Sequence, residues 1–127
     1  MELYVSNLEK SVRFWEWIFS YLGYRDYQQW NNGRSWIKEL TYIVIVQTEG
    51  KYLDNKYHRC HPGLNHLAFY VDKKEEVDFL TSSLRDRGVK ILYEERHPHA
   101  GGQDSYAVYF EDPDRIKVEV VVYSDQI

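Results

Sequence analysis

Hydrophobic positions along the chain switch between two periods, and the switch occurs twice. In two segments the apolar side chains recur at helical spacing, which is typical of a helix packing one face on a core. Each segment begins with a capping-box spacing and ends at a glycine, as helix termini often do. The first stripe is Leu8, Val12, Trp15, Phe19 and Leu22, between the Ser6/Glu9 cap and Gly23; the second is Val77, Leu80 and Leu84, between the Asp72/Glu75 cap and Gly88.

Around both helices the period changes to two, which predicts strands. "YRDYQQW", "RSWIKEL" and "TYIVIVQ" follow the first helix, with Asn32-Gly33 as a type I′ hairpin signal. "VKILYEE", "SYAVYFE" and "IKVEVVVY" follow the second helix, and the middle one predicts a strand over 104–111. Short strands end in "YV" before each helix, and Tyr4 corresponds to Tyr70 at an offset of 66 residues. The predicted order is therefore β-α-β-β-β, twice.

Composition narrows the class of protein. Of 127 residues, 43% are hydrophobic and 17% aromatic, which supports one domain with a substantial core and excludes a disordered chain. The net charge of −4 without a basic run argues against a nucleic-acid surface. No membrane-spanning stretch or signal peptide is visible, and the one cysteine, Cys60, has no internal partner. We therefore expect a cytoplasmic protein.

Two polar side chains stand on predicted strands that are otherwise apolar. In "GLNHLAFYVD", alternation puts His66 and Tyr70 on the face opposite Leu67 and Phe69. In the last strand, Glu119 lies among valines and shares a face with Lys117 and Val121. A carboxylate in such surroundings is costly to bury unless it is paired or bound to a metal. Glu119 is therefore predicted to have a partner or to bind a metal ion.

The segments "NHLAFYV" and "YFEDPDRIKVEVV" resemble the motifs of the vicinal-oxygen-chelate superfamily, which includes glyoxalases, bleomycin-resistance proteins and extradiol dioxygenases. The resemblance covers essentially the whole chain. It implies an α+β fold in which paired βαβββ modules form an eight-stranded curved mixed sheet, with helices outside and a cleft between the modules. The single domain spans 1–127, with module one at about 1–52, a linker at about 53–63 and module two at about 64–124. Arg115 stands where the family usually has glycine.

The resemblance also implies a divalent metal ion (Mn, Fe, Zn or Ni) in the cleft, with His66 and Glu119 as the ligands from module two. In module one the corresponding histidine would lie one residue ahead of Met1, so that either the natural chain begins a few residues earlier or this ligand is absent. Val44 takes the place of Glu119. Gln47 is the nearest alternative there, but it lies on the opposite face unless a bulge intervenes. Two histidines and one carboxylate suit Fe(II) or Mn(II), which favours dioxygenase-like or fosfomycin-transferase-like chemistry over that of glyoxalase I.

Further residues are candidates for substrate contact. Tyr109 has the parity of the cleft-facing position, and His97 and His99 lie in a glycine-rich loop that family members often use to cover the site. For the two histidines, general acid/base work or binding of an anion competes with a plain surface loop. By alternation, the cleft face should also carry Glu2, Tyr4 and Tyr70.

Three functions are compatible with these residues. The first is a metal-dependent enzyme, such as a lyase, transferase or dioxygenase, that acts on a small oxygen-chelating substrate, with Glu119 also catalytic. The second is a metal-free protein that binds or sequesters small molecules, as bleomycin-resistance proteins do, with His66 and Glu119 as a polar pair. The third is a structural pair without a site. A zinc site at His58, Cys60 and His61 competes with an exposed linker, and we expect a homodimer, as is common in the fold.

Overall fold

The computed structural model describes residues 1–123 and divides the chain into two compact units, Met1–Tyr57 and the part that starts at His58. Residue 124, where the sequence predicted the end of module two, lies outside the described residues. Each unit has one α-helix and a four-stranded mixed sheet. The predicted β-α-β-β-β order is therefore confirmed in both.

The first unit contains five elements in the predicted order. They are β1 (Glu2–Val5), α1 (Leu8–Tyr21), β2 (Arg25–Trp30), β3 (Gly33–Lys38) and β4 (Thr41–Gln47). The spatial order is β1-β4-β3-β2, with β1 parallel to β4 and the other neighbours antiparallel. A 3-10 turn at Gly50–Tyr52 follows.

The second unit repeats this arrangement. Its elements are β5 (His66–Val71), α2 (Lys74–Asp86), β6 (Ile91–Leu92), β7 (Ala107–Glu111) and β8 (Lys117–Val122). The spatial order is β5-β8-β7-β6. As in the first unit, the first and last strands, β5 and β8, pair in parallel, and the other neighbours are antiparallel. A 3-10 turn at Glu94–Arg96 separates β6 from the loop that leads to β7.

In each unit the core consists of the helical stripe and alternate residues of the strands. The predicted stripe residues Trp15 and Phe19 are fully buried in the first unit, where their rings stack 5.0 Å apart. In the second unit the helix α2 packs on β7 and β8, and the buried side chains are Val77, Leu80, Leu84, Val108, Phe110, Val118 and Val120. In the second unit, the face that carries His66, Tyr109 and Glu119 is thus the one that α2 leaves open.

Both helix starts lie one residue later than the capping spacing predicted. Asn7 is the N-cap of α1, and its side-chain oxygen accepts from the Lys10 amide at 3.1 Å. At α2 the Glu76 carboxylate accepts from the Lys73 amide at 3.1 Å. Asparagine caps a helix as well as serine does, and consecutive candidate caps cannot be separated by spacing alone.

Gln47 belongs to the helix side of its sheet, as alternation predicted. Its side-chain oxygen accepts from the Leu8 amide at 2.8 Å, and its amide nitrogen donates to the Ser6 carbonyl at 2.9 Å. The pairing of β1 with β4 runs without a bulge from Glu2 opposite Val44 to Val5 opposite Gln47. Gln47 therefore supports the start of α1, and it does not reach the open face.

Three predicted local features are wrong in detail. The first hairpin turns at residues 31–32, and Gly33 begins β3, where the ring of Trp30 lies so close that an added Cβ would meet it at 2.4 Å. The strand predicted at 89–95 ends at Leu92, because Tyr93 adopts a left-handed conformation with φ 57°. The strand predicted over 104–111 begins only at Ala107, since the preceding residues form turns of the loop.

Arg115 has φ 67° in the turn between β7 and β8, a conformation that favours glycine. We expect Arg115→Gly to stabilise the fold by about 1 kcal/mol, because the strain of a left-handed side chain is removed. The exposed Arg115 guanidinium lies 3.5 Å from Glu111, and loss of this contact offsets little of the gain. Urea unfolding followed by circular dichroism measures the unfolding free energies of the parent and the variant. A variant that is less stable than the parent would contradict the assignment of strain to Arg115.

Candidate functional site

The open face of the second sheet collects the polar side chains that the sequence singled out. His66 on β5, Tyr109 on β7 and Glu119 on β8 are partly exposed, whereas the residues between them in each strand face α2. Glu119 lies opposite Ala68 on one side and Tyr109 on the other. The small Ala68 side chain leaves the Glu119 carboxylate accessible to His66 from the neighbouring strand.

His66 and Glu119 contact each other directly. The distance from His66 Nε2 to Glu119 Oε1 is 3.1 Å, and the side chains retain 34% and 14% of their exposure. The two side chains that the family resemblance pairs are thus in contact, and they remain reachable from solvent.

Asn65 fixes the proton on the His66 ring. The Asn65 amide nitrogen donates to the Arg59 carbonyl at 3.2 Å, so its oxygen is the atom that lies 2.9 Å from His66 Nδ1. Because that oxygen only accepts, Nδ1 carries the ring proton, and in the neutral ring Nε2 presents a lone pair. That lone pair then faces a carboxylate oxygen at 3.1 Å. Two acceptors at this distance need a cation between them, either a proton or a metal ion.

Tyr109 completes the group as a hydrogen-bond donor. Burial, followed by the charge of Glu119 and the hydrogen bond to it, raises the pKa of Tyr109 to about 12. The phenol therefore stays protonated and donates to the carboxylate at neutral pH. Gly101 packs against this hydroxyl, and an added Cβ there would lie 2.8 Å from the phenol oxygen. The glycine-rich loop thus reaches the site through its backbone.

The structure does not bring His97 and His99 to the His66–Glu119 pair. His99 Nδ1 lies 2.8 Å from the Ser105 carbonyl, and its ring packs edge-on against Tyr106. The Tyr106 hydroxyl donates to Asp78 of α2 at 2.5 Å. Burial, and then the nearby Arg85 of the same helix, lower the pKa of His97. Both histidines thus have partners on the helix side of the sheet, and their predicted contact with substrate has no support from these contacts.

The remaining predicted contacts lie on exposed strand faces. Tyr70 is 58% exposed and packs edge-on against Tyr123 at 5.2 Å. In the first unit, Glu2 and Tyr4 lie on the exposed face of β1, and Glu2 is opposite Val44. Since Tyr4 pairs with Val46 as Tyr70 pairs with Val121, Val44 does occupy the position that Glu119 has in the second unit. A role in binding stays a prediction for all three exposed residues.

Two residues of the candidate site, Asn65 and Tyr93, were not predicted from the sequence. Asn65, which orients His66, directly precedes it, so the dipeptide Asn-His carried a signal that was not used. Tyr93 receives a hydrogen bond of 3.2 Å from Lys117 Nζ, and its ring packs edge-on on Tyr109 at 5.5 Å. The parity of Lys117 placed it on the open face, but no pattern could show its contact with Tyr93, 24 positions earlier.

The described residues provide two metal donors at this site. Within residues 1–123, no three His, Cys, Asp or Glu side chains cluster as metal ligands. The alternative zinc site does not form there: the ring centres of His58 and His61 lie 4.9 Å apart with the rings tilted by 31°, and His58 Nδ1 accepts from the Cys60 amide. An imidazole nitrogen and a carboxylate that face each other still fit a divalent metal, with further positions open. No helix in the described part is long and apolar enough to cross a membrane.

Residues 1–120 match the model of the Glyoxalase/Bleomycin resistance protein/Dioxygenase superfamily. The Bacillus subtilis (strain 168) protein YqjT is 54% identical over 124 residues, which cover 98% of this chain and 97% of that protein. A crystal structure of a candidate glyoxalase from Bacillus halodurans has a TM-score of 0.96 at 51% identity, covering 97% of this chain and 92% of that one. The fosfomycin resistance protein FosX from Listeria monocytogenes shares the fold, with a TM-score of 0.68 at 22% identity over 99% of this chain and 90% of its own. The chain therefore belongs to the glyoxalase/bleomycin resistance protein/dioxygenase superfamily.

Proposed function

We propose that the protein is a divalent-metal-dependent enzyme that acts on a small substrate with two neighbouring oxygens. The observation that carries the proposal is the His66–Glu119 contact, in which Asn65 directs a lone pair of the imidazole at a carboxylate oxygen 3.1 Å away. Histidine ligands of metals commonly donate their other ring N–H to a fixed acceptor in this way. The metal ion, Mn, Fe, Zn or Ni, would be held by His66 and Glu119.

When bound, the metal supplies Lewis-acid stabilisation to an oxygen that develops negative charge. The chain's own residues would orient and move protons around that oxygen. His66 is held in one tautomer by Asn65, and Tyr109 donates to Glu119, which limits the rotation of the carboxylate. Two protein ligands leave positions for two oxygens of the substrate. Glu119 would also act as a base that accepts a proton from the substrate.

The reaction type stays open between lyase, transferase and dioxygenase. The fold hosts different chemistries, and the fosfomycin resistance protein FosX is similar in fold alone. Substrate contacts through Tyr109, Tyr70, Tyr4 and Glu2 remain part of the proposal, as do a homodimer and a cytoplasmic location.

Metal retention by the full chain tests the proposal. Metal-free protein is incubated separately with Mn(II), Fe(II), Zn(II) and Ni(II), desalted and submitted to elemental analysis. We expect one metal ion per chain for at least one of these metals. His66→Ala should retain none, whereas His61→Ala, which changes an exposed histidine outside the pair, should retain it in full.

The alternative is a metal-free protein that binds small molecules on the same polar face. Here a proton, and not a metal ion, would lie between His66 and Glu119. Retention of no metal by the parent chain, or equal retention by the parent and His66→Ala, would favour this alternative and reject the enzyme as proposed.

A further inference from the structure

A cationic corner, formed by Lys117, Tyr93 and Arg96, adjoins the His66–Glu119 pair and has no role in the proposed metal site. Lys117 Nζ lies 3.2 Å from the Tyr93 hydroxyl oxygen and 5.5 Å from the centre of its ring. The Arg96 guanidinium carbon lies 4.9 Å from the centre of the same ring. Tyr93 thus contacts two positive charges on the open side of the sheet.

The charge of Lys117 is not neutralised within the described residues. Its cross-strand neighbours are His66 on β5 and Glu111 on β7. The carboxylate of Glu111 is engaged elsewhere, at 3.0 Å from Arg59 and 3.5 Å from Arg115. In residues 1–123, Lys117 makes a hydrogen bond to a neutral phenol and no ion pair. Lys117 is half-buried beside the candidate active site, and its ammonium can therefore bind an anion by charge-assisted hydrogen bonds.

Tyr93 is held in an uncommon backbone conformation that presents its hydroxyl to this corner. Its φ of 57° and ψ of 40° are left-handed, and its carbonyl accepts from the amides of Arg96 and His97, each at 3.0 Å. Strained conformations of this kind concentrate at functional sites. The ring also packs edge-on against Tyr109, which donates to Glu119. Tyr93 thus contacts Lys117 and Arg96 on one side and Tyr109, the donor to Glu119, on the other.

Lys117 and Tyr93 offer hydrogen-bond donors that form no ion pair within residues 1–123. The Tyr93 oxygen accepts from Lys117, which leaves its O–H free to donate, and the ammonium of Lys117 has two more N–H groups. Arg96 is exposed and also lies 3.5 Å from Glu95, so it adds positive potential more than a fixed bond. Such a set of donors matches the oxygens of a carboxylate, phosphonate or phosphate group.

We propose that Lys117 and Tyr93, assisted by Arg96, bind an oxyanion carried by the substrate. This inference rests on the proposed function for the identity of the second group, the metal-chelating oxygens. Lys117 and Glu119 are two residues apart on one face of β8, a repeat of about 6.6 Å. One small molecule can therefore span both positions. The substrate class is a small organic anion with two neighbouring chelating oxygens.

The oxyanion subsite can be tested on metal-free protein, where an anion cannot bind through a metal. Inorganic phosphate, methylphosphonate and acetate are titrated separately into the isotope-labelled chain, and the backbone amide signals of β8 and of residues 93–96 are followed by NMR. We expect saturable shifts for at least one probe. Lys117→Met should weaken that binding about tenfold or more, and Tyr93→Phe should weaken it severalfold. Lys90→Met, at an exposed lysine before β6, should leave it unchanged.

The outcomes separate this inference from the proposed function. Absence of saturable shifts for all three probes in the parent chain overturns the subsite, and so does equal binding by Lys117→Met. Circular dichroism of Lys117→Met establishes that a loss of binding is not a loss of fold, and Tyr93→Phe, which keeps the ring, provides the second variant. Lys117→Met should still retain metal. Lys117-dependent anion binding in a chain that retains no metal would leave the subsite standing and remove the metal enzyme.

Discussion

Glu119→Gln is expected to weaken metal binding more than about 100-fold. Outer-shell partners of metal ligands already change affinity by about 10- to 100-fold, and Glu119 would be a direct ligand that supplies the negative charge. Glutamine keeps the shape and can still accept the hydrogen bond from Tyr109 through its oxygen. The dissociation constant is measured by competition with a chromophoric chelator, using the metal that the parent chain retains.

Glu111→Gln is the matched control for this substitution. Glu111 lies on the neighbouring strand β7, and its side chain is 9% exposed, but it pairs with Arg59 in place of a histidine. We expect Glu111→Gln to lower stability and to leave metal affinity within severalfold of the parent value. Equal losses of affinity in both variants would show that the effect is a general one of charge, and would contradict the assignment of Glu119.

Although Glu119→Gln should lose metal affinity, its metal-free form should lose no stability. With the proton of His66 fixed on Nδ1, an amide N–H at position 119 can donate to the lone pair on Nε2. We expect the unfolding free energy of the metal-free variant to equal that of the parent or to exceed it by up to about 1 kcal/mol. Loss of metal together with unimpaired stability distinguishes a metal ligand from a residue that only supports the fold.

Much of this site follows from strand alternation. A strand places every second residue on one face, so the valines around Glu119 predicted its accessible face, and the family resemblance added its proximity to His66. Matching the sequences of the last strands of the two modules identified Val44 as the counterpart of Glu119, and the strand pairings of the two sheets agree with that alignment. The hydrophobic pattern of a strand is informative here because it sets the register with the neighbouring strand, and the register decides which side chains meet.

Features that depend on loops were not predictable in this way. The loop after β6 has no periodicity, so its spacing could not show that His99 turns toward Tyr106 while the Gly101 backbone approaches Tyr109. The left-handed Tyr93 ended a strand that propensity would have continued, since a tyrosine is among the residues favoured in strands. The proposed oxyanion subsite depends on this left-handed conformation of Tyr93.

Trp15→Ala is expected to destabilise the protein by about 3–5 kcal/mol, the range for large aromatic residues in a core. Trp15 is fully buried, its ring stacks on Phe19 at 5.0 Å, and Phe14 packs edge-on against it at 5.2 Å. Removal of the indole leaves a cavity under α1 that the rigid neighbours fill only in part.

Trp17→Ala, at a partly exposed position two residues later in the same helix, is the control. It removes the same side chain and gains the same helix propensity, so a loss near 1 kcal/mol or less is expected. Urea unfolding followed by far-UV circular dichroism, which does not rely on tryptophan emission, compares the two. Similar losses for both variants would show that Trp17 carries as much of the packing as Trp15, against the burial seen in the structure.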